Sequence, residues 1–359
     1  MTELTALAAD LVSIPSHDDA TAAGDAIESW LRAETDAVVK RDETGNVIAR
    51  RGSGPSLALV GHHDVVPPDD AQRDGEEYVV EQRDGRLYGR GTADMKGALA
   101  AMLLAFRDAD PAGELVFASF VGEEVGGVGA RAAIDRGFVP DVAVVGEGSV
   151  GYSAPGVLDV AVAHRGRRGS TLVARGTAAH ASEPEQGENA IYRATDAVTL
   201  LRDLSIPETD VAGSTVTGSL AATGIEGGTA WNVVPDRCEV TVDERTVPGD
   251  RADLERVERI QGVEWQVDQD LPPMRCDDAD FASAVVAAAR KAGDGASERV
   301  VKPHATDAGW LARAGTSTVV CGAAEPGEAH TADESVSIAI LERVRRCYER
   351  VARTWPERE

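Results

Sequence analysis

Four short apolar runs in this chain are each followed by a side chain that can bind a metal, and this recurrence limits the folds open to it. The runs are residues 57–60 before His62, 115–121 before Glu123 and Glu124, 142–145 before Glu147, and 318–320 ahead of a loop that reaches His330. Short β-branched runs bounded by glycine are typical of buried strands in a parallel sheet. Ligands bind to such sheets just beyond the carboxyl ends of the strands. The pattern therefore predicts an α/β fold and a metal-dependent enzyme.

The charge composition argues against polyanionic partners. The formal net charge is −25, and so acidic a surface repels phosphates and anionic lipid, so we expect neither nucleic acid nor membrane as a partner. A GC-rich genome would explain the composition, but we favour adaptation to high salt, where screening removes the self-repulsion. The chain opens without signal-peptide features, and its 4 cysteines form no CxxC pair. Both features favour a reducing cytoplasm.

Hydrophobic periodicity predicts two domains. Strands and helices alternate up to residue 147, as in a mostly parallel sheet covered by helices. From residue 165 the order changes to βαββαβ, the ferredoxin-like split, which indicates an inserted α+β domain. Its predicted strands are 170–174, 215–217, 238–242 and 263–267, and its predicted helices are 189–204 and 250–260. We therefore assign 1–164 and 273–359 to a catalytic metal-binding domain and 165–272 to the insert. The remaining predicted helices are a pair within 3–33, then 96–106, 280–291 and 335–354.

Two glycine-flanked motifs carry candidate metal chemistry. In Gly61-His62-His63-Asp64 a carboxylate follows an imidazole by two residues, and such a carboxylate commonly orients a metal-binding histidine. Asp94 is the one acid in a glycine-dense loop at 89–97, where a carboxylate can bridge two cations. A polar turn and an acidic helix start are the ordinary alternatives for these two motifs.

Two adjacent acids at the end of a strand can have different roles in a metal site. Glu123 and Glu124 would point in opposite directions, so one can bind metal while the other faces substrate and accepts a proton from an attacking water. A solvated acid pair is the alternative, and His330 alone is no evidence of a site. Taken together, the five candidate ligands follow strands or tight glycine loops and include no cysteine. Histidine mixed with carboxylate suits hydrolytic Zn²⁺, Co²⁺ or Mn²⁺ better than structural zinc.

These motifs make the chain similar to the M20 metallopeptidase family, particularly its deacylase branch. That branch includes succinyl-diaminopimelate desuccinylase, acetylornithine deacetylase and the carrier-protein lysine/ornithine hydrolases of amino-acid biosynthesis. The matching segments, in family order, are GHHDVVP (61–67), GRGTADMKG (89–97), GEE (122–124), GE (146–147), AAHAS (178–182), GENA (187–190), NVVPD (232–236), DER (243–245) and AHTADE (329–334). They cover nearly the whole chain.

The resemblance implies a role for each ligand. His62, Asp94 and Glu147 would bind one divalent cation, and Asp94, Glu124 and His330 would bind a second. The cations would be two Zn²⁺, with Co²⁺ or Mn²⁺ as alternatives. Glu123 would be the general base and later the acid, Asp64 would orient His62, and the Asp94-Met95 peptide would be cis.

For the insert, the resemblance implies a lid or dimerisation domain. His180 would stabilise the oxyanion, either in its own site or in that of the partner subunit, while Asn232 and Arg245 would hold the substrate and its carboxylate. A homodimer through this domain is expected. Two departures from the family pattern line the substrate side: Gly148 replaces the usual proline, and Ala-Ala-Glu-Pro-Gly at 323–327 replaces the usual Gly-Pro-Gly.

The favoured activity is therefore hydrolysis of an N-acyl amino acid, with di- or carboxypeptidase activity as the alternative within the family. Arg165, Arg167 and Arg168 are candidates for a basic residue that faces an acyl carboxylate, but we favour a solvated strand edge as their explanation. A nucleotide-binding protein using the glycines at 126–129 is a different class, but the third glycine and downstream acid of the dinucleotide fingerprint are missing. A non-catalytic binding protein is a third class, and it should have lost ligands that are all present here.

Overall fold

Six of the seven predicted helices form close to their predicted bounds, and two short helices, at 128–135 and 307–313, were not predicted. The computed structural model describes residues 1–211, 213–293 and 296–356. The helices are α1 (Glu3–Ser13), α2 (Thr21–Glu34), α3 (Gly97–Asp108), α4 (Val128–Asp135), α5 (Ala190–Arg202), α6 (Ala279–Ala292), α7 (Asp307–Arg313) and α8 (Ile338–Thr354). Short 3₁₀ turns span Asp70–Gln72, Pro184–Gln186 and Leu254–Arg259, and Thr92–Lys96 forms one irregular wide turn. None of the helices in the described ranges is both long and apolar enough to span a bilayer.

The strands are short, and most pair far along the sequence. They are β1 (Val38–Arg41), β2 (Val47–Arg51), β3 (Ser56–His62), β4 (Arg73–Asp74), β5 (Glu77–Tyr78), β6 (Glu81–Arg83), β7 (Arg86–Tyr88), β8 (Glu114–Phe120), β9 (Val142–Val145), β10 (Val160–His164), β11 (Gly166–Arg175), β12 (Ala179–His180), β13 (Glu208–Val211), β14 (Ser214–Thr217), β15 (Ser219–Gly227), β16 (Val233–Val234), β17 (Arg237–Thr246), β18 (Val263–Leu271), β19 (Met274–Arg275), β20 (Arg299–Lys302), β21 (Ser317–Val320) and β22 (Ser335–Ser337).

The chain divides into two compact units. The first contains Met1–His164, Met274–Lys302 and Thr306–Glu359, and the second contains Arg165–Pro273 with Pro303–Ala305. The insert predicted at 165–272 thus corresponds to the second unit, and the chain returns to the first unit at Met274.

The first unit is built around a mostly parallel sheet flanked by helices. Its strand order is β1-β2-β8-β3-β9-β21-β10-β19, with β20 paired to β10. The adjacent strands β8, β3, β9 and β21 run parallel to one another. All four predicted apolar runs form these strands, whose side chains are almost entirely buried. Helix α3 is buried from Gly97 to Phe106 and packs against α1 and α8.

The second unit is an antiparallel sheet with one long helix. The strand order is β15-β17-β11-β18, and every ladder is antiparallel. This is the order that a βαββαβ chain with a ferredoxin-like split produces. Helix α5 begins at the Asn189 cap, whose side chain accepts a hydrogen bond from the Ile191 amide. Its alanine face packs on the core formed with Leu172 and Val240.

Two of the elements predicted for the insert are wrong in detail. The segment 215–217 belongs to β14, which pairs with β13 in a separate hairpin, and the sheet strand at this point is β15. Most side chains of β15 are exposed and it is an edge strand, so it lacks the alternation that marks a half-buried strand. The predicted helix at 250–260 is only the 3₁₀ turn Leu254–Arg259. Its buried residues, Leu254 and Val257, are three apart, which is the repeat of a 3₁₀ turn.

Candidate metal centre

The sheet brings the predicted ligands together because four parallel strands end at the same edge. His62 is the last residue of β3, and Glu124 and Glu147 follow β8 and β9 after short glycine turns. His330 follows β21 through a longer loop. Asp94 comes from the irregular turn before α3, where the Asp94-Met95 peptide is cis, as the family resemblance implies.

The ligand atoms form two triads that share Asp94. His62 Nε2 lies 2.9 Å from Asp94 Oδ1 and 3.3 Å from Glu147 Oε1. His330 Nε2 lies 3.1 Å from Asp94 Oδ2 and 3.0 Å from Glu124 Oε1. Within each triad the donor atoms are all less than 4.8 Å apart. Tetrahedral ligands at the usual zinc distances lie roughly 3.4 Å from one another, so both triads have the chemistry and nearly the spacing to hold a divalent cation.

The Asp64 carboxylate lies beside His62, as the sequence predicts, but its hydrogen bonds go to other groups. His62 Nδ1 donates to the backbone carbonyl of Asp64 at 2.9 Å, while the nearest carboxylate oxygen of Asp64 is 3.5 Å away. The carboxylate also accepts hydrogen bonds from the amides of Glu123 at 3.3 Å and Glu124 at 3.2 Å. Asp64 therefore orients His62 mainly through its carbonyl and fixes the two adjacent glutamates through its side chain.

The excess of carboxylates dominates the electrostatics. Burial lowers the pKa of His62, but hydrogen bonds with Asp64, Asp94 and Glu147 outweigh it and raise the pKa well above its usual range. Hydrogen bonds with Asp94 and Glu124 raise the pKa of His330 to about 10. The carboxylates of the two triads therefore stabilise positive charge on both histidines. They would stabilise a bound cation in the same way.

Glu123 is distinguished from its neighbour by its surroundings. Burial, reinforced by the nearby charge of Glu147, raises the pKa of Glu123 well above its usual range. It belongs to neither triad, so its carboxyl group is available for proton transfer.

Sequence reasoning missed two buried side chains near the triads. Lys302 Nζ donates to Glu147 Oε2 at 3.2 Å, so the second oxygen of this ligand is occupied by a cationic side chain. Asp307 is 4% exposed, and its Oδ2 has no hydrogen-bond partner among the described residues. Burial raises the pKa of Asp307 to about 7. Lys302 could have been noticed in the sequence, because lysine is scarce in this chain and Lys302 directly follows a Val-Val pair.

The two departures from the family pattern pack against each other. A Cβ atom added to Gly148 would lie 2.7 Å from the carbonyl oxygen of Ala324 and 2.8 Å from its Cβ. The loop after Glu147 and the loop that leads to His330 are thus in contact at a position where only glycine fits. Neither departure displaces a ligand from its triad.

Of the three site residues predicted in the second unit, His180 and Asn232 lie together, whereas Arg245 lies near the other end of β17, opposite Arg167. His180 is on β12, which pairs with β16, and the Ala181 amide donates to the carbonyl of Asn232. His180 Nδ1 accepts from the Ser182 amide at 3.2 Å, so a neutral ring carries its proton on the exposed side, at Nε2. Arg245 donates to Asp243 through Nε at 2.8 Å, so part of its guanidinium is already engaged.

Arg168 is not the solvated residue that one interpretation suggested. It is 7% exposed on the inner strand β11, where it pairs with Glu244 and lies over the ring of Trp265. Arg167 is half-exposed and pairs with Asp243.

The fold and site together define an α/β protein with a carboxylate-bridged pair of candidate cation sites. Residues 58–354 match the family model described as "Peptidase family M20/M25/M40". The chain belongs to this family.

Its relatives differ in what they hydrolyse. The chain is 35% identical to acetylornithine deacetylase from Klebsiella pneumoniae (strain 342) over 213 residues, 57% of this chain and 54% of that protein. The match thus spans about half the length of that curated relative. Aminopeptidase PepT from Bacillus cereus ATCC 10987 has a TM-score of 0.78 at 22% identity, with 98% of both chains covered. The YXEP protein of Bacillus subtilis, described as a dinuclear metal-binding peptidase of the M20 family, has a TM-score of 0.69 at 18% identity, with 97% of this chain and 96% of that chain covered.

Proposed function

We propose that the protein hydrolyses the amide bond of a small N-acyl amino acid. The observation that carries this proposal is the pair of triads that share Asp94, with the free carboxyl of Glu123 on the strand loop that also supplies Glu124. Within the family, the similarity to acetylornithine deacetylase supports a deacylase. A dipeptidase or other peptidase is the second candidate, because a structural neighbour is an aminopeptidase.

Two divalent cations, Zn²⁺ by the donor set and Co²⁺ or Mn²⁺ as alternatives, would polarise the amide carbonyl and lower the pKa of the attacking water. His62, Asp94 and Glu147 would hold one cation, and Asp94, Glu124 and His330 the other. Glu123 would accept the proton of the water and then donate it to the leaving nitrogen. Asp64 would hold the backbone of Glu123 and Glu124 in place by accepting hydrogen bonds from their two amides.

The second unit would supply substrate contacts. His180 would donate from Nε2 to the developing oxyanion, and Asn232 and Arg245 would hold the substrate, Arg245 by pairing with its carboxylate. These three roles stay predictions, supported by their motifs and by the free donor on His180. Replacing His180 with asparagine should lower kcat more than it raises KM, and an unchanged kcat would exclude the role.

The assignment of Glu123 is tested by Glu123→Ala, with Glu76→Gln as a control at an exposed position. Both variants are assayed in high salt on N-acetyl and N-succinyl amino acids and on dipeptides, with Zn²⁺, Co²⁺ or Mn²⁺ added. Loss of a general base should lower turnover by about a hundred- to ten-thousand-fold, with metal content unchanged. Wild-type activity of Glu123→Ala would refute the assignment. Preferential turnover of dipeptides would favour the second candidate function.

We also propose a homodimer formed through the second unit. Strand β15 is an edge strand that pairs only with β17 among the described residues, and Ile225 on it is 56% exposed. An exposed edge with apolar side chains is a template for pairing with a second copy. Sedimentation of wild type and of Ile225→Lys tests this proposal, since a dimer that persists unchanged in the variant would exclude β15 as the contact.

The charge of −25 supports adaptation to high salt. Self-repulsion among exposed acids is strongest at low ionic strength, so the protein should lose stability on transfer to dilute buffer. Full stability there, without salt or metal, would refute this proposal. The location in a reducing cytoplasm stays a prediction.

A further inference from the structure

Glu334 is a buried carboxylate that holds the backbone of the loop carrying Asp94. Its side chain is 0% exposed. Oε1 accepts hydrogen bonds from the amides of Gly91 at 3.0 Å, Ala93 at 3.0 Å and Asp94 at 3.1 Å. Oε2 accepts from Arg90 Nη1 at 2.5 Å. The carboxylate is therefore saturated by partners that all belong to the segment 90–94.

Glu334 also ties this segment to the loop of His330. Its backbone carbonyl accepts from the Gly89 amide at 3.0 Å. The next residues form β22, which pairs with β7 immediately before the same loop. His330 has a φ of 62°, a conformation that a residue with a side chain adopts only when its surroundings hold it. The two ligands of the second triad that lie on these loops are thus fixed relative to each other.

We propose that Glu334 is a positioning residue of the metal centre, which sets the backbone of the shared ligand Asp94 and the distance from Asp94 to His330. This inference rests on the metal centre of the proposed function. Because Asp94 contributes one oxygen to each triad, a shift of its backbone changes both triads together. The negative charge of Glu334 strengthens its hydrogen bonds with the three amides and the guanidinium, since charge-assisted hydrogen bonds are the stronger ones. Removing that charge should therefore loosen the segment.

The test is Glu334→Gln. The glutamine carbonyl can still accept from the three amides, but its NH₂ group meets the Arg90 guanidinium, so two donors oppose each other. Glu244 provides a matched control in the second unit, where it accepts from Arg168 Nε at 2.5 Å and from the Ala252 amide at 3.0 Å. Glu244→Gln breaks the same kind of buried pair on a strand that supplies no ligand to either triad.

Affinities for Co²⁺ and Zn²⁺ are measured on metal-free protein by competition with a chromophoric chelator, together with the visible absorption of the Co²⁺ form and the free energy of unfolding without metal. We expect Glu334→Gln to weaken both cations by about ten- to a hundredfold and to change the Co²⁺ absorption. Glu244→Gln should lose stability but bind both cations as wild type does. Adding Arg90→Met to Glu334→Gln removes the opposing donor and should restore part of the affinity.

Wild-type affinities and absorption in folded Glu334→Gln would overturn the proposal, and so would an equal loss of affinity in Glu244→Gln. If Glu334→Gln does not fold, Arg90→Met alone is measured, and unchanged affinities would overturn the proposal in the same way. Failure of the proposed metal centre itself would appear in the wild type, as absence of two divalent sites.

Discussion

His330 should hold a proton in the metal-free protein far above the pH at which histidine usually loses it. Hydrogen bonds with Asp94 and Glu124 raise its pKa to about 10, although its side chain is 48% exposed. A group with that pKa is about 99% protonated at pH 8, whereas a histidine with an ordinary pKa is about 3% protonated. A metal ligand must be a neutral imidazole, so cation binding at pH 8 should release close to one proton from His330.

The same shift fixes the sign of the pH dependence of stability. A pKa that is raised on folding contributes stability that is fully present below the unfolded pKa of about 6.5 and is lost as pH rises through about 10. The metal-free protein should therefore lose stability between pH 6.5 and pH 10. Metal-loaded protein should not show this loss, since the cation replaces the proton.

Two measurements check this reasoning. Histidine ring NMR of metal-free protein, with His330→Asn to assign the signal, should give a titration midpoint near 10 rather than near 6.5. Calorimetry of Co²⁺ binding at pH 8, in buffers of different ionisation enthalpy, should give a release of at least one proton. A midpoint of 7 or below, or no proton release at pH 8, would refute the assigned electrostatics.

Three substitutions test other contacts. Gly148→Ala should lower the free energy of unfolding by about 1–3 kcal/mol, because the new Cβ meets Ala324. Adding Ala324→Gly should restore part of this loss. Strictly additive effects in the double-mutant cycle would contradict the contact. Lys302→Met should destabilise metal-free protein by about 1–3 kcal/mol in denaturant unfolding, because buried Glu147 loses one of its two cationic partners and keeps only His62. An equal loss in metal-loaded protein would show that no bound cation compensates. Asn189→Ala removes the cap of α5 and should lower the free energy of unfolding by about 1 kcal/mol, with unchanged unfolding as the contrary result.

The catalytic sheet could be predicted from sequence because its central strands are buried on both faces. Such strands are continuous apolar runs, and parallel strands must end at one edge. His62 and Glu147 could therefore be placed together although 85 residues separate them. The strand β20 escaped prediction because Arg299-Val-Val-Lys302 has only two apolar residues between charges. Lys302 is the last residue of this strand and Asp307 lies shortly after it, so both residues were missed.

Other details escaped prediction for similar reasons. Sequence spacing placed Asp64 beside His62, but it could not show that the carbonyl of Asp64 accepts the hydrogen bond at 2.9 Å while the carboxylate lies at 3.5 Å. The edge strand β15 has little burial to leave a pattern. Glu334 lies in a matched motif, yet its contacts are with backbone amides at 91–94, and backbone contacts leave no signature in residue types.

The contact between Gly148 and Ala324 restricts how this chain can change over generations. Any side chain at position 148 meets the backbone of Ala324 as well as its Cβ, so proline at 148 would first require the loop that carries Ala324 to move or shorten. Positions 148 and 324 should therefore be inherited as a pair, and engineering that grafts either loop from a relative should transfer both together.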